Sequence, residues 1–375
     1  MKKVLIYLKI VGCLLLSVLI DLLTPTMAKK TRKLILDNEF KEYIYHSENT
    51  FESAVVLSCT TIIKKGKPSN DNKIRINNEF EIQQNKLDDG FWSFEKPEIM
   101  RLREKIEKQS IELQNIPNLK IYSGIKTGLN KAFMIDLNTR NKLIQQDFKN
   151  NEIIKPLLRG IDIQRWKMEY SDRYIILSKS GMELENSYLS LFDFMKNNEI
   201  KLKDRSDQGE FWYNLRDCAY YDKFEKEKII WTEMTPKPSF LIDKEKYFLL
   251  NTSYMLIIDN ENFNLNYVTA LLNSNLLFLD IFKDEPKVIW AKVKIYSSIC
   301  QKKLPIYPAN PEKQQPLINA TEKILNKNNE LQKEINSFKH WIQKEFNVEK
   351  LSKKLNKYYE LSKDEFIDEL HKKKG

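Results

Sequence analysis

Glycine is scarce in this chain, nine in 375 residues, and no two of the nine form a Gly-x-Gly. None of the twelve prolines stands beside another. Cysteine and histidine are rarer still, limited to Cys13, Cys59, Cys218 and Cys300 and to His46, His340 and His371. Their wide, unpaired spacing excludes a zinc ribbon or a disulfide framework and argues against a histidine-dependent triad. It fits a reducing, cytoplasmic setting. No metal site is expected. With 42% hydrophobic and 30% charged residues, the composition excludes disorder and describes a globular chain able to bury a sizeable core.

Positive charge is abundant. The formal net charge of +10 favours a polyanionic partner, nucleic acid or an acidic membrane surface, although a lysine- and asparagine-rich genome would leave the same excess. Aromatic residues make up 11%, six of them tryptophan, which suits stacking on bases and equally suits ordinary cores. At the N-terminus, Lys2-Lys3, an apolar run through Leu23 and Thr26-Met27-Ala28 imitate a secretory leader. Lys9 and Asp21 interrupt that run and make it a poor membrane span, so no membrane partner is expected.

The hydrophobic pattern predicts an α+β protein. Residues 1–85 read as strand, helix, strand, strand, with Val55–Ile63 an apolar, β-branched run suited to a sheet buried on both faces. Residues 86–118 contain a connecting helix marked by Ile99, Leu102, Ile106 and Leu113. Residues 119–310 alternate strand-like patches (119–122, 132–135, 174–177, 228–232, 247–250, 255–258) with helical patterns at 140–148, 187–203 and 267–282. Residues 311–375 form a helical tail. There Leu317, Ile324, Leu331 and Phe338 recur at heptad spacing with Ile335 and Ile342 at the alternate position, for a coiled coil or a helix packed on its own domain.

Two of the nine glycines fall in Ser123-Gly124-Ile125-Lys126-Thr127-Gly128-Leu129-Asn130-Lys131-Ala132-Phe133. Consecutive backbone N–H groups in such a turn attract anions, and Lys126 and Lys131 add charge. The spacing does not fit a P-loop, and a plain hairpin turn has the same pattern. Ile154-Lys155-Pro156-Leu157-Leu158-Arg159-Gly160-Ile161-Asp162-Ile163-Gln164-Arg165-Trp166 follows, then Gly209-Glu210-Phe211-Trp212-Tyr213-Asn214-Leu215-Arg216. Lys228-Ile229-Ile230-Trp231, Asn251-Thr252-Ser253-Tyr254, Leu271-Leu272-Asn273-Ser274 and Leu304-Pro305-Ile306 complete an ordered series. The series resembles the TaqI-like specificity domain, the target-recognition module of type IIG restriction–modification enzymes and adenine-specific DNA methyltransferases. The resemblance extends at both ends. Thr24-Pro25, Lys29–Asn38 and Phe51–Val56 resemble the end of a methyltransferase catalytic domain, and Leu355–Ser362 resembles the closing helices of type IIG enzymes.

The resemblance implies a remnant of a mixed α/β methyltransferase sheet (1–85), a helical linker (86–118), an α+β DNA target-recognition domain (119–310) and the helical tail (311–375). It implies double-stranded DNA as partner, with Lys126, Thr127, Asn130, Lys131, Arg159, Asp162, Arg165, Trp212 and Arg216 as candidate contacts. Arginine forks read guanine and clamp phosphate. The bland alternatives are a solvated turn, a helix start in which Asp162 pairs an arginine, and a Trp212 that packs in the core. Asn273-Ser274 is expected to be a structural cap, and Phe51 is the relic of an aromatic against an extruded base. Family enzymes hold S-adenosylmethionine on a glycine-rich loop and the flipped adenine on an Asp/Asn-Pro-Pro-Tyr segment, and use Mg2+ for cleavage. Neither of those two motifs occurs here. Glu199-Ile200-Lys201 and Glu285-Pro286-Lys287 match a nuclease triplet that chance also produces in so charged a chain. The expectation is therefore a DNA-recognition chain that binds no cofactor itself and has no catalytic residues of its own. One alternative is adenine-N6 methylation when complemented by a separately encoded methyltransferase or nuclease half. The other is an exported basic protein with a cleaved leader.

Overall fold

The computed structural model describes residues 6–10, 13–19, 29–46, 58–90, 92, 94, 96–235, 238–277, 294–295, 304–348 and 350–374. They divide between two compact units. One comprises Met1–Ile116, Met234–Lys237 and Ser274–Pro308, the other Pro117–Glu233, Pro238–Asn273 and Ala309–Gly375.

The first unit is built on a six-stranded sheet. Across it run Ile6–Ile10, Cys13–Leu19, Ser58–Lys64, Glu39–His46, Lys73–Ile76 and Phe80–Gln83. All neighbours are antiparallel except Glu39–His46 with Lys73–Ile76. Lys73–Ile76 alternates exposed and buried residues, the pleat period of a sheet with one face in the core. That face buries Phe40, Tyr43, Ile63, Ile74 and Ile76 with Ile35 of the basic helix Lys29–Leu36. Trp92 stacks on Phe40 with ring centroids 5.5 Å apart, and Phe94 lies 4.6 Å from Tyr43. The core thus passes the boundary expected at residue 85, and a cut there would strip two aromatic rings from it. Gln84 holds the strand ends together. Its buried amide donates to the carbonyls of Leu36 and Asn38 and accepts from the Phe40 N–H and from Asn72. The helix Pro97–Lys108 follows, opened by proline, and Ile111–Glu112 pairs with Pro305–Ile306. Leu304-Pro305-Ile306 is grouped in space with this unit.

The second unit contains two four-stranded sheets. One runs Phe248–Leu249, Ile154–Leu158, Arg173–Ile176, Met134–Asp136; the other runs Leu241–Asp243, Lys228–Thr232, Ser253–Ile258, Leu119–Ser123. Every residue of Lys228–Thr232 is buried, as its apolar run requires. Two sequence expectations are corrected here. Ala132 and Phe133 lie in the short helix Asn130–Phe133, and the strand begins at Met134. The pattern over 187–203 breaks into Leu184–Ser187, Leu189–Lys196 and Glu199–Lys203, because Tyr188 leaves helical geometry and the Asn197-Asn198 pair favours a break. The helix expected at 140–148 starts earlier, at Leu137, where Asp136 accepts the Thr139 N–H as an N-cap.

The Pro311–Glu345 helix packs with the face of the alternate heptad position, Ile335 and Ile342, and not with the Leu317-Ile324-Leu331-Phe338 stripe. Gln314, Ile318, Thr321, Ile335 and Ile342 are buried, whereas Leu317, Ile324, Leu331 and Phe338 remain 36% to 54% exposed. Gln314 donates to the carbonyls of Asn262 and Ala309, and Thr321 donates to that of Asn266. These bonds let polar residues occupy the docking face. Among the described residues no helix is long and apolar enough to cross a membrane.

Gly124 is a position where the fold leaves no room for a side chain. Its N–H donates to the Ser253 carbonyl, and the next N–H donates to that of Leu249. A Cβ on Gly124 would lie 2.0 Å from the Leu250 oxygen. Gly124→Ala is expected to destabilise the protein by about 2–4 kcal/mol, since backbone rather than a flexible side chain must move. Urea unfolding of the two proteins measures this.

Candidate nucleic-acid interface

The basic turn after Leu119–Ser123 is set by its glycines and by one buried arginine. Gly128 has φ +67°, a left-handed conformation, and a Cβ there would lie 3.2 Å from Arg205 Cδ and from Asp207 Cβ. Arg205 donates to the carbonyls of Thr127 (2.7 Å), Leu202 (3.2 Å) and Trp212 (2.9 Å), and also to that of Asn214. Its guanidinium lies 4.7 Å from the centre of the Phe133 ring. Burial pushes the guanidinium pKa down to about 10, so it stays charged at neutral pH. One side chain thus ties the turn at 126–128 to the loop at 205–216.

That loop is rigid in its own right. Asn214 is buried, donates to Ser178 Oγ and the Met182 carbonyl, and accepts from the N–H groups of Phe211 and Gly181. A Cβ on Gly209 would lie 2.5 Å from the Leu215 oxygen.

On this frame Lys126, Asn130, Lys131 and Arg216 are exposed. Thr127 is not: its buried hydroxyl donates to Asn130 Oδ1 at 2.6 Å, so it shapes the turn. Trp212 is half-buried, 6.0 Å from Phe192, with the Lys203 ammonium 5.8 Å from its ring. Asp207 sits between Lys126 Nζ (3.0 Å) and Arg216 Nη1 (3.5 Å). The structure also brings up residues that sequence reasoning missed. Ser123 Oγ meets the Tyr220 hydroxyl at 3.2 Å, and Lys179 lies 5.0 Å from the Tyr221 ring. Only the adjacent Tyr220-Tyr221 pair could have signalled them.

Arg159, Asp162 and Arg165 form a separate set. Asp162 is buried and accepts from the Arg159 N–H, Nε and Nη2 at 2.8, 3.1 and 2.8 Å. This is the capping pair of a 3-10 turn, so Asp162 is not available to a base edge. Arg165 and Trp166 occupy the two-residue turn of a hairpin in which Gln164 pairs with Lys167. Trp166 is held at φ +65°, unusual for so bulky a residue. Arg165 donates one guanidinium nitrogen to the Asn273 carbonyl at 2.6 Å. Asn273 in turn exchanges two hydrogen bonds with the Phe240 backbone. Trp231 is a core residue, 1% exposed. Glu199 pairs with Lys203 at 2.6 Å along its helix. Phe51 and the triplet at 285–287 lie outside the described residues.

The Lys228-Ile229-Ile230-Trp231 motif hides an ion pair that apolar patterning does not foretell. Lys228 Nζ meets Asp243 Oδ2 at 2.6 Å with both side chains fully buried. Lys228 also donates to the Phe224 carbonyl, and Asp243 accepts the N–H groups of Glu245 and Tyr247. Burial pushes the lysine pKa down and the aspartate pKa up, and their mutual attraction opposes both shifts. Lys228→Met is expected to cost about 3–5 kcal/mol, because it leaves a buried carboxylate without its cation. Denaturant midpoints of the variant and the parent test this.

Residues 155–306 match the TaqI-like C-terminal specificity domain, and residues 310–375 match a domain of unknown function, DUF8810. Arg159, Asp162, Arg165, Trp212 and Arg216 fall inside the first match, and the 123–133 turn lies upstream of it. No curated protein matches the chain. Among solved structures it is similar to the type IIG restriction endonuclease BpuSI at 12% identity and a TM-score of 0.42, covering 83% of this chain and 42% of that one. It is also similar to the type IIL restriction-modification enzyme MmeI, solved in complex with DNA, at 12% identity and a TM-score of 0.49. That match covers 96% of this chain and 46% of the enzyme. The chain spans less than half the length of either.

Proposed function

We propose that this chain, whose residues 155–306 carry a TaqI-like C-terminal specificity domain, is the DNA target-recognition part of a type IIG restriction–modification enzyme. The observation that carries the reading is the set of basic side chains, Lys126, Lys131 and Arg216, presented by a turn and a loop that Arg205 locks together. Fixed cations of this kind position a duplex by its phosphates, and in this reading Arg165 at the hairpin tip would turn from the Asn273 carbonyl to reach a base edge. S-adenosylmethionine and Mg2+ belong, in this reading, to the complete enzyme. The chain has neither a Gly-x-Gly nor a Pro-Pro pair. Among its described residues no three His, Cys, Asp or Glu side chains gather to hold an ion. In this reading no catalytic step is assigned to the chain. The reading places the chain in the cytoplasm.

A second reading, adenine-N6 methylation with a separately encoded half, would place a partner strand on the open sheet of the first unit. Among the described residues Ile6–Ile10 and Phe80–Gln83 are the edges along which a partner strand would add. Methylation of DNA by the chain co-expressed with a frame bearing Asn-Pro-Pro-Tyr, but by neither alone, would support it.

The DNA-binding reading is tested by gel-shift titration at two salt concentrations. Affinity is expected to fall steeply with salt, and Lys131→Ala to flatten the log–log slope by about 1 while weakening all sequences alike. A folded protein that binds no duplex at low salt overturns it.

A further inference from the structure

We infer that Asp207 is an internal counter-anion, holding Lys126 and Arg216 in the free protein and competing for them with DNA phosphate. The inference rests on the DNA-binding reading. Asp207 is only 14% exposed, whereas Lys126 and Arg216 are 53% and 57% exposed. The carboxylate is therefore set into the surface beneath two solvent-facing cations. It reaches that place because Gly128 has no side chain: a Cβ there would lie 3.2 Å from Asp207 Cβ. Two cations share one anion, so the trio presents a net charge of one rather than two to an approaching duplex.

The two contacts differ. Lys126 Nζ lies 3.0 Å from Asp207, while Arg216 Nη1 donates a long hydrogen bond of 3.5 Å, the looser and more readily redirected contact of the two. A phosphate offers the same oxygen acceptors as the carboxylate and can take the outer face of both cations. Each such transfer must first overcome the attraction of Asp207. Because phosphate contacts carry no sequence information, the penalty falls on every duplex, and binding to arbitrary DNA is held down. Asp207 also favours the charged form of the buried Arg205, so its removal must be checked for effects on folding.

The test is fluorescence anisotropy of a short duplex of arbitrary sequence with the full chain and its Asp207→Asn variant at low salt. Releasing two surface ion pairs is expected to tighten binding by about 3- to 10-fold and to steepen the salt dependence. The gain should vanish in a Lys126→Ala/Arg216→Ala background. Thermal melting establishes that each variant is folded, and Asp207→Ser takes the place of Asp207→Asn if the latter is not. Unchanged or weaker binding by a folded variant overturns the inference. So does a gain that persists without Lys126 and Arg216, which would reduce it to bulk charge. Failure of the parent chain to bind any duplex overturns instead the DNA-binding reading, and the inference with it.

Discussion

The buried guanidinium of Arg205 is the contact on which the proposed interface depends. A charged group can be withdrawn from water only where its donors are met, and here backbone carbonyls from three separate stretches, at 127, 202 and 212–214, converge on it. A planar fork of five donors can bridge such stretches, and an ammonium cannot reproduce that geometry. The bridged stretches are the ones that carry Lys126 and Arg216. The backbone that presents these exposed cations is therefore held together across the two stretches.

Buried polar groups of this kind recur through the chain and do similar work. Gln84 fastens strand ends of the first unit through both ends of its amide, and Asn214 fastens the 178–182 segment to the 211–215 loop. Lys228 and Asp243 fix two turns at the edge of a fully buried strand. Each satisfies its partners nearly completely, the condition under which such groups specify one arrangement rather than weaken the core. Gln314 and Thr321 extend the same logic to the long C-terminal helix.

That helix shows where periodicity misleads. Of the regular apolar stripe, Leu317, Ile324 and Leu331 face outward, while Phe338 packs its ring 4.5 Å from that of Tyr358. The docking face mixes Ile318 with Gln314 and Thr321, whose hydrogen bonds are formed by residues far away in sequence. An apolar count cannot see a partner at that distance. The three short helices over 184–203 fail for a related reason. Their apolar residues keep helical spacing, while local geometry at Tyr188 and the asparagine pair breaks the axis.

By itself the sequence determined the α+β class, the buried strand at 228–232, the basic turn with its two glycines, and the order of motifs that marks the specificity domain. Those are local properties: run length, periodicity, turn chemistry and charge. Tertiary structure alone decided which candidate residues are free to touch a ligand. Asp162 and Thr127 are polar residues in suggestive places, yet each is committed to a neighbour. Asp207 and Arg205 carried no motif, yet one sets the charge of the surface and the other its shape. Hydrogen-bond partners brought together from separate stretches decide such matters, and spacing along a chain does not encode them.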